Sequence, residues 1–217
     1  MIPLGPEGFA ELTSVSRETL ARLEAYAELL KRWSGRINLV SGNALHDPWR
    51  RHFLDSAQLL PFLPSNAQSL VDLGSGAGFP GLVLAILGVP GVALVEADAR
   101  KCAFLREAAR IAAAPITIHN TRAEAMTPCP ADVVTARGCA PLDRLLVLSQ
   151  WFIGPKTVCL FLKGAGVAEE LTAARRAWTM TVSLHPSRSD PRGAILSLEQ
   201  IAPRRDGWTG GAEVGRA

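Results

Sequence analysis

The stretch Val71-Asp72-Leu73-Gly74-Ser75-Gly76-Ala77-Gly78-Phe79-Pro80-Gly81 decides how the rest of the chain is read. An apolar run closing on Asp72 predicts a strand, three alternate glycines predict a tight turn, and Pro80 predicts the start of a helix. Glycine is needed where backbone turns sharply and a ligand lies directly against it. A dinucleotide fingerprint would read G-x-G-x-x-G, with pyrophosphate on the helix N-terminus. Phe79 stands where that pattern has its third glycine. No Gly-Lys-Ser or Gly-Lys-Thr follows, which removes a triphosphate-binding loop.

Outward from this turn, a second apolar strand over 92–96 ends at Glu96. A carboxylate there accepts hydrogen bonds from ribose hydroxyls. A glycine turn after one strand and an acid after the next describe a nucleoside site without a phosphate cradle. S-adenosylmethionine is the common cofactor of that shape. Further strands are expected at 69–73, 116–119, 132–136 and 157–162, with helices at 80–87, 99–113 and 142–151. Short apolar strands alternating with helical periods imply right-handed β-α-β units and a parallel sheet covered on both faces. Strands at 180–184 and 194–198, after a helix near 168–177, suggest an antiparallel hairpin at one sheet edge. Before the sheet, Ser16 caps a helix over 17–33, and Asp47-Pro48 opens another that runs to about Pro61.

The 217 residues, 48% hydrophobic and 20% charged, suit one core with an appended element. The expected division is an N-terminal helical extension at 1–66, a catalytic domain at 67–202 and a frayed tail at 203–217. Net charge is only +3, so bulk charge does not announce a nucleic-acid binder. Cys102, Cys129, Cys139 and Cys159 form no C-x-x-C pair and have no histidine at ligand spacing, so no metal site is expected. Residues 73–95 carry no charge but contain six glycines, Pro80 and Pro90, which argues for a buried turn, helix and strand over a membrane span. With no export signal at the N-terminus, a cytoplasmic protein is expected.

The motifs then become specific. Trp33-x-x-x-Ile37-Asn38-Leu39, Arg51-His52-Phe53-Leu54-Asp55-Ser56, the glycine turn through Gly81, Lys101-x-x-Phe104-Leu105, Arg122-Ala123-Glu124, Ala136-Arg137 and Lys163-Gly164 resemble the RsmG (GidB) family. These are bacterial guanine-N7 methyltransferases of 16S rRNA, and the likeness runs from about residue 20 to 200. Gly138, where the family usually has alanine, and Glu96, where it often has Asp, depart from the pattern. The resemblance implies a Rossmann-like class I S-adenosylmethionine-dependent methyltransferase, with a seven-stranded, mostly parallel sheet and an N-terminal helical extension. It implies methyl transfer to N7 of guanine 527 in the small ribosomal subunit. The family's cofactor contacts fall on Gly74, Phe79, Ala123, Glu124 and Arg137. With the turn and its acid, the expected cofactor set is Asp72, Gly74, Gly76, Gly78, Phe79, Glu96, Ala123, Glu124 and Arg137. Phe79 is expected to close the turn over the methionine portion, and Arg137 to act at the transfer point on cofactor carboxylate or RNA phosphate.

Guanine N7 attacks with an in-plane lone pair and loses no proton, so alignment and electrostatics suffice without a general base. No Asn/Asp-Pro-Pro-Tyr/Phe motif of exocyclic-amine methylation is present. Cys139 raises the alternative of thiolate attack on a pyrimidine, but Arg137-Gly138-Cys139-Ala140-Pro141 lacks the Pro-Cys order of such enzymes. A nucleoside-cofactor oxidoreductase and a cofactor-binding protein without catalysis are the other rivals. For RNA, Arg36, Arg50, Arg51 and His52, with Trp33 and Trp49 nearby, predict a phosphate-and-stacking surface. Arg188, Arg192, Arg204 and Arg205 form a second basic group. His52 and Asp55, three residues apart, are read as a structural pair. A monomer without a stable protein partner is expected.

Overall fold

The computed structural model describes residues 3–40 and 46–204. The sheet comprises β1 (Leu70–Leu73), β2 (Val92–Glu96), β3 (Ile116–Asn120), β4 (Val133–Arg137), β5 (Val158–Lys163), β6 (Trp178–Pro186) and β7 (Ala194–Pro203). Their spatial order is β3-β2-β1-β4-β5-β7-β6. The first five pair in parallel, and β7 runs antiparallel to both β5 and β6. β1 is buried along its whole length, whereas the outer strands β3 and β6 are largely open. That is why the central strands are apolar runs and the edges carry His119, Thr179 and Thr181.

Alternate strand residues feed two cores. Leu70, Leu94, Val133, Leu160 and Ile195 face helices α1 (Pro6–Thr13), α2 (Arg17–Ser34), α4 (Gly81–Ile86) and α5 (Ala99–Ile111). Val71, Leu73, Val95, Val134 and Phe161 face α6 (Leu142–Ser149) and α7 (Val167–Ala174). At the sheet's lower edge, the Asp132 carboxylate accepts from the Gln68 and Ser69 amides at 2.8 and 3.0 Å and from the Ser69 hydroxyl at 2.9 Å. These bonds tie the entry of β1 to that of β4.

Three differences from the sequence expectation have physical causes. The segment opened by Asp47-Pro48 does begin there, with Asp47 accepting the Arg50 amide at 3.3 Å. It is π-wound over Trp49–Leu54, α-helical over α3 (Asp55–Ala57) and 3₁₀ over Leu60–Phe62, because His52, Phe53 and Leu54 are consecutive and all buried. Helix α1 was invisible to periodicity: it buries only Phe9, which meets the Trp49 ring at 5.4 Å. Strand β7, between β5 and the edge strand β6, reaches Pro203, which pairs with Trp178, and the Arg204 amide donates to Ala177 at 2.8 Å. The first residues of the expected tail are therefore hairpin. Positions 205–217, Arg205 among them, lie outside the described residues.

Candidate functional site

The turn after β1 is built by opposite uses of glycine. Gly74, Gly76 and Gly78 all have positive φ, at 62°, 56° and 94°. A Cβ on Gly78 would sit 2.9 Å from both Leu82 Cβ and the Tyr26 hydroxyl, so this glycine packs inward. A Cβ on Gly76 would find nothing nearer than the Gly74 carbonyl at 3.8 Å. That side of the turn is open for a ligand. On Gly74 a Cβ would overlap the Cys139 Sγ at 2.5 Å, which places the segment after β4 directly against the turn.

Glu96 holds the turn in shape. Its Oε2 accepts the Gly76 amide and its Oε1 the Asp98 amide, both at 2.8 Å. The carboxylate is buried at the C-terminal end of β2, where the sequence places a ribose acceptor. Asp72 is fully buried one strand away. Thr135 Oγ1 donates to its Oδ1 at 2.8 Å, while Oδ2 makes no hydrogen bond among the described residues. Burial pushes its carboxyl up to about 6 against the pull of nearby donors.

Phe79 departs from its expected place over the turn. The ring is buried among Tyr26 (5.4 Å), His52 (4.7 Å) and Phe53 (5.5 Å), because the N-terminal helices offer an aromatic wall that solvent does not. The Tyr26 hydroxyl crosses from α2 to donate to the Ala77 carbonyl inside the turn. His52 is likewise no RNA-facing residue. Burial, then the Arg137 and Arg51 charges, push its imidazole down to about 3, and neither ring nitrogen has a hydrogen-bond partner among the described residues. It stays neutral and stacks on Phe79.

Arg137, at the end of β4, joins these parts. Its guanidinium lies 4.9 Å from the Phe79 ring centroid, donates to the Arg51 carbonyl at 2.8 Å and meets Asp55 Oδ2 at 3.3 Å. Asp55 therefore pairs with Arg137 and not with His52. The sequence motif contained Asp55, but no spacing rule connects it to a residue 82 positions away. A cleft of about 220 Å³ opens here at the C-terminal ends of β4 and β5. Arg51, Asp55, Arg137, Lys163, Ser189 and Asp190 line it.

Ala123 is buried in a 3₁₀ turn after β3, while Glu124 is half exposed and already paired with Arg144 of α6. That ion pair corrects the picture of a carboxylate standing free for adenine. Lys163 is buried, with Nζ donating to Ala140 at 3.0 Å and pairing with Glu170 at 2.6 Å. Cys139 is exposed, yet its thiol is pushed up, by burial first and then by Asp72, Glu96 and Glu124. Arg36 and Arg51 are exposed; Arg50 is tied to Asp47 at 3.2 Å, which explains why it does not join them. Trp33 meets Phe104 and Trp49 stacks on Phe53, so both aromatics expected at an RNA surface serve the core instead. Among the described residues, no group of three or more His, Cys, Asp or Glu side chains is placed to hold a metal ion. No helix among them is long and apolar enough to cross a membrane.

Residues 19–189 match the family described as rRNA small subunit methyltransferase G, GidB. The chain belongs to that family. A curated relative, ribosomal RNA small subunit methyltransferase G of Rhodospirillum centenum, is 58% identical over 196 residues, covering 90% of this chain and 91% of the relative. Among solved structures, ribosomal protein L11 methylase of Lactobacillus delbrueckii subsp. bulgaricus matches with TM-score 0.55 at 14% identity, covering 67% and 76% of the two chains. The glycopeptide N-methyltransferase MtfA, complexed with S-adenosylmethionine, matches with TM-score 0.55 at 11% identity, covering 68% and 93%. These two share the fold, the Rossmann-like arrangement of class I methyltransferases.

GidB enzymes use S-adenosylmethionine, and the residues present fit it. The open side of Gly76 leaves room for ligand against backbone. Glu96 lies at the strand end where ribose hydroxyls are read. The donorless Asp72 Oδ2 is a buried acceptor suited to the cationic amino group of the methionine portion.

Proposed function

We propose that the protein transfers the methyl group of S-adenosylmethionine to N7 of a guanine in small-subunit rRNA, at guanine 527 as the resemblance implies. One observation carries the placement. The Cys139 thiol abuts Gly74, and the adjoining Gly138 lines the 220 Å³ cleft, so cofactor turn and cleft share a wall. The cofactor supplies an electrophilic methyl on a sulfonium. The chain binds and orients: Gly76, Glu96 and Asp72 hold the cofactor, while Gly74 and Ala123 bound the space beside it.

Arg137 faces the cleft, where its cation opposes RNA phosphate or a guanine O6. No group in the cleft is needed as a base, since N7 gives up no proton. Arg36 and Arg51 carry the RNA backbone. The 1–66 extension braces the cofactor turn, and the enzyme works as a monomer in the cytoplasm. The isolated exposed apolar side chains among the described residues, Leu12 and Leu184, support that state.

The test is tritium transfer from S-adenosylmethionine into small-subunit RNA, with mass spectrometry of the released nucleosides. Label in 7-methylguanosine is expected; label in 5-methylcytidine or a methylated exocyclic amine overturns the chemistry. Naked RNA and assembled subunits are run side by side. Replacing Arg36 and Arg51 with alanine is expected to flatten the salt dependence of RNA binding by about 0.7–0.9 log unit per lost contact. An unchanged slope removes both from the RNA surface.

A further inference from the structure

The Asp55 side chain touches three walls of the cleft. It sits where the π-wound segment passes into α-helix. Its Oδ1 accepts from Gln58 Nε2 at 2.8 Å and from the Ser189 hydroxyl, and its Oδ2 accepts from Arg137 at 3.3 Å. Gln58, buried beside it, accepts the Arg188 amide at 2.7 Å and reaches Ser187 at 3.1 Å. The β6–β7 turn, the N-terminal segment and the end of β4 are thus fastened to one carboxylate. The Asp55 and Arg137 side chains are only 16% and 18% exposed.

We propose that Asp55 is a positioning residue for the methyl acceptor: it fixes the Arg137 guanidinium over Phe79 at the mouth of the cleft, so that RNA is presented in line for transfer. This rests on the functional reading above. Guanidinium direction matters because its planar fork binds oxygen acceptors only along fixed lines. Three contacts set that direction here: the Arg51 carbonyl, Asp55 and the Phe79 ring. Loss of the Asp55 contact leaves the other two, which do not fix rotation in the plane.

Asp55→Asn separates the limbs. The amide oxygen retains the Gln58 and Ser189 donors, while the amide NH₂ meets Arg137 donor against donor. The expected result is a fall of about tenfold or more in kcat/KM for small-subunit RNA, with S-adenosylmethionine affinity changed by less than about twofold. Arg137→Ala is expected to fall at least as far, and the double variant no further, because Asp55 acts through Arg137. Asp55→Glu, which keeps the charge, is expected to recover part of the loss.

Additive losses, or full activity per folded molecule in Asp55→Asn, would overturn the proposal. Tighter RNA binding with a steeper salt dependence would do the same, showing that Asp55 only masks the Arg137 charge. If Asp55→Asn fails to fold, Arg137→Lys carries the test. It keeps the cation but loses the fork, and wild-type kcat/KM in it refutes positioning. The Arg137 Nε–H resonance, sharp in the wild type and broadened by exchange in Asp55→Asn, reads the latch without any transfer. A wild type that labels no RNA therefore refutes the functional reading, while the resonance still decides the latch.

Discussion

Glu96→Ala is the most informative single change at the cofactor site. The side chain makes two charge-assisted bonds, to the Gly76 and Asp98 amides, both at 2.8 Å and both buried. Such bonds contribute about 1.5–3 kcal/mol each, and the Gly76 bond lies in the surface that receives the ligand. Releasing it also frees turn residues that a ligand must then reorder, at about 1–2 kcal/mol per residue. A loss of about 3 kcal/mol corresponds to roughly a hundredfold in S-adenosylmethionine affinity. Glu96→Gln keeps one carbonyl acceptor, so a loss of about tenfold is expected. Calorimetric titration with S-adenosylmethionine measures both. A 2′,3′-dideoxyribose analogue separates the two roles of the carboxylate. If Glu96 reads the ribose, removing the hydroxyls costs affinity in the wild type and nothing further in Glu96→Ala. Wild-type affinity in both variants would refute the reasoning outright.

Asp72 sets a pH dependence of defined sign. Its folded pKa, about 6, lies above the usual 3.8, so its contribution to stability is full below about pH 3.8 and is lost as pH rises through 6. Asp72→Asn is therefore expected to unfold later than the wild type at pH 7, by up to about 3 kcal/mol. The same variant should bind S-adenosylmethionine weakly at every pH, whereas wild-type affinity should fall as pH drops through 6. A pH-independent wild type refutes this. Cys139→Ser is expected to keep most transfer activity, since a thiol pushed up is a poor nucleophile near neutrality; a dead variant in the tritium assay revives pyrimidine chemistry. Gly78→Ala strains a positive φ and drives a methyl to 2.9 Å from Leu82 and Tyr26. It is expected to cost about 1–3 kcal/mol in denaturant unfolding, and an unchanged midpoint would mean the turn has slack.

The sheet was legible because parallel central strands must be apolar runs: the five parallel candidates fall within one residue of their strands' limits and β6 within two, while β7 alone runs on, to Pro203. β7 outruns its apolar core because an edge hairpin can extend on exposed polar residues such as Glu199 and Gln200. At the site, the residues close to the glycine motif are brought together: Gly76 faces the open side of the turn and Glu96 accepts its amide. Residues whose role depends on distant partners were misjudged. Phe79 and His52 look exposed from their polar and glycine-rich surroundings, yet Phe79 packs between Tyr26 and Phe53 and His52 stacks on Phe79. Glu124, Arg50 and Asp55 are charged in sequence and committed in space, to Arg144, Asp47 and Arg137. No periodicity announces an ion pair between elements.

The hydroxyl of Tyr26 inside the Ala77 carbonyl's reach has a consequence for synthesis. During translation the N-terminal helices emerge first, at about 5–20 residues per second. Their aromatic face, Tyr26 and Trp33 among it, has nothing to cover it until Phe79 and Phe104 have left the ribosome. The nascent chain thus carries an uncovered apolar surface for several seconds. Cofactor-turn geometry and N-terminal helix docking must then arise together, so a chain from which α2 has been removed should fail as a catalyst and as a soluble product alike.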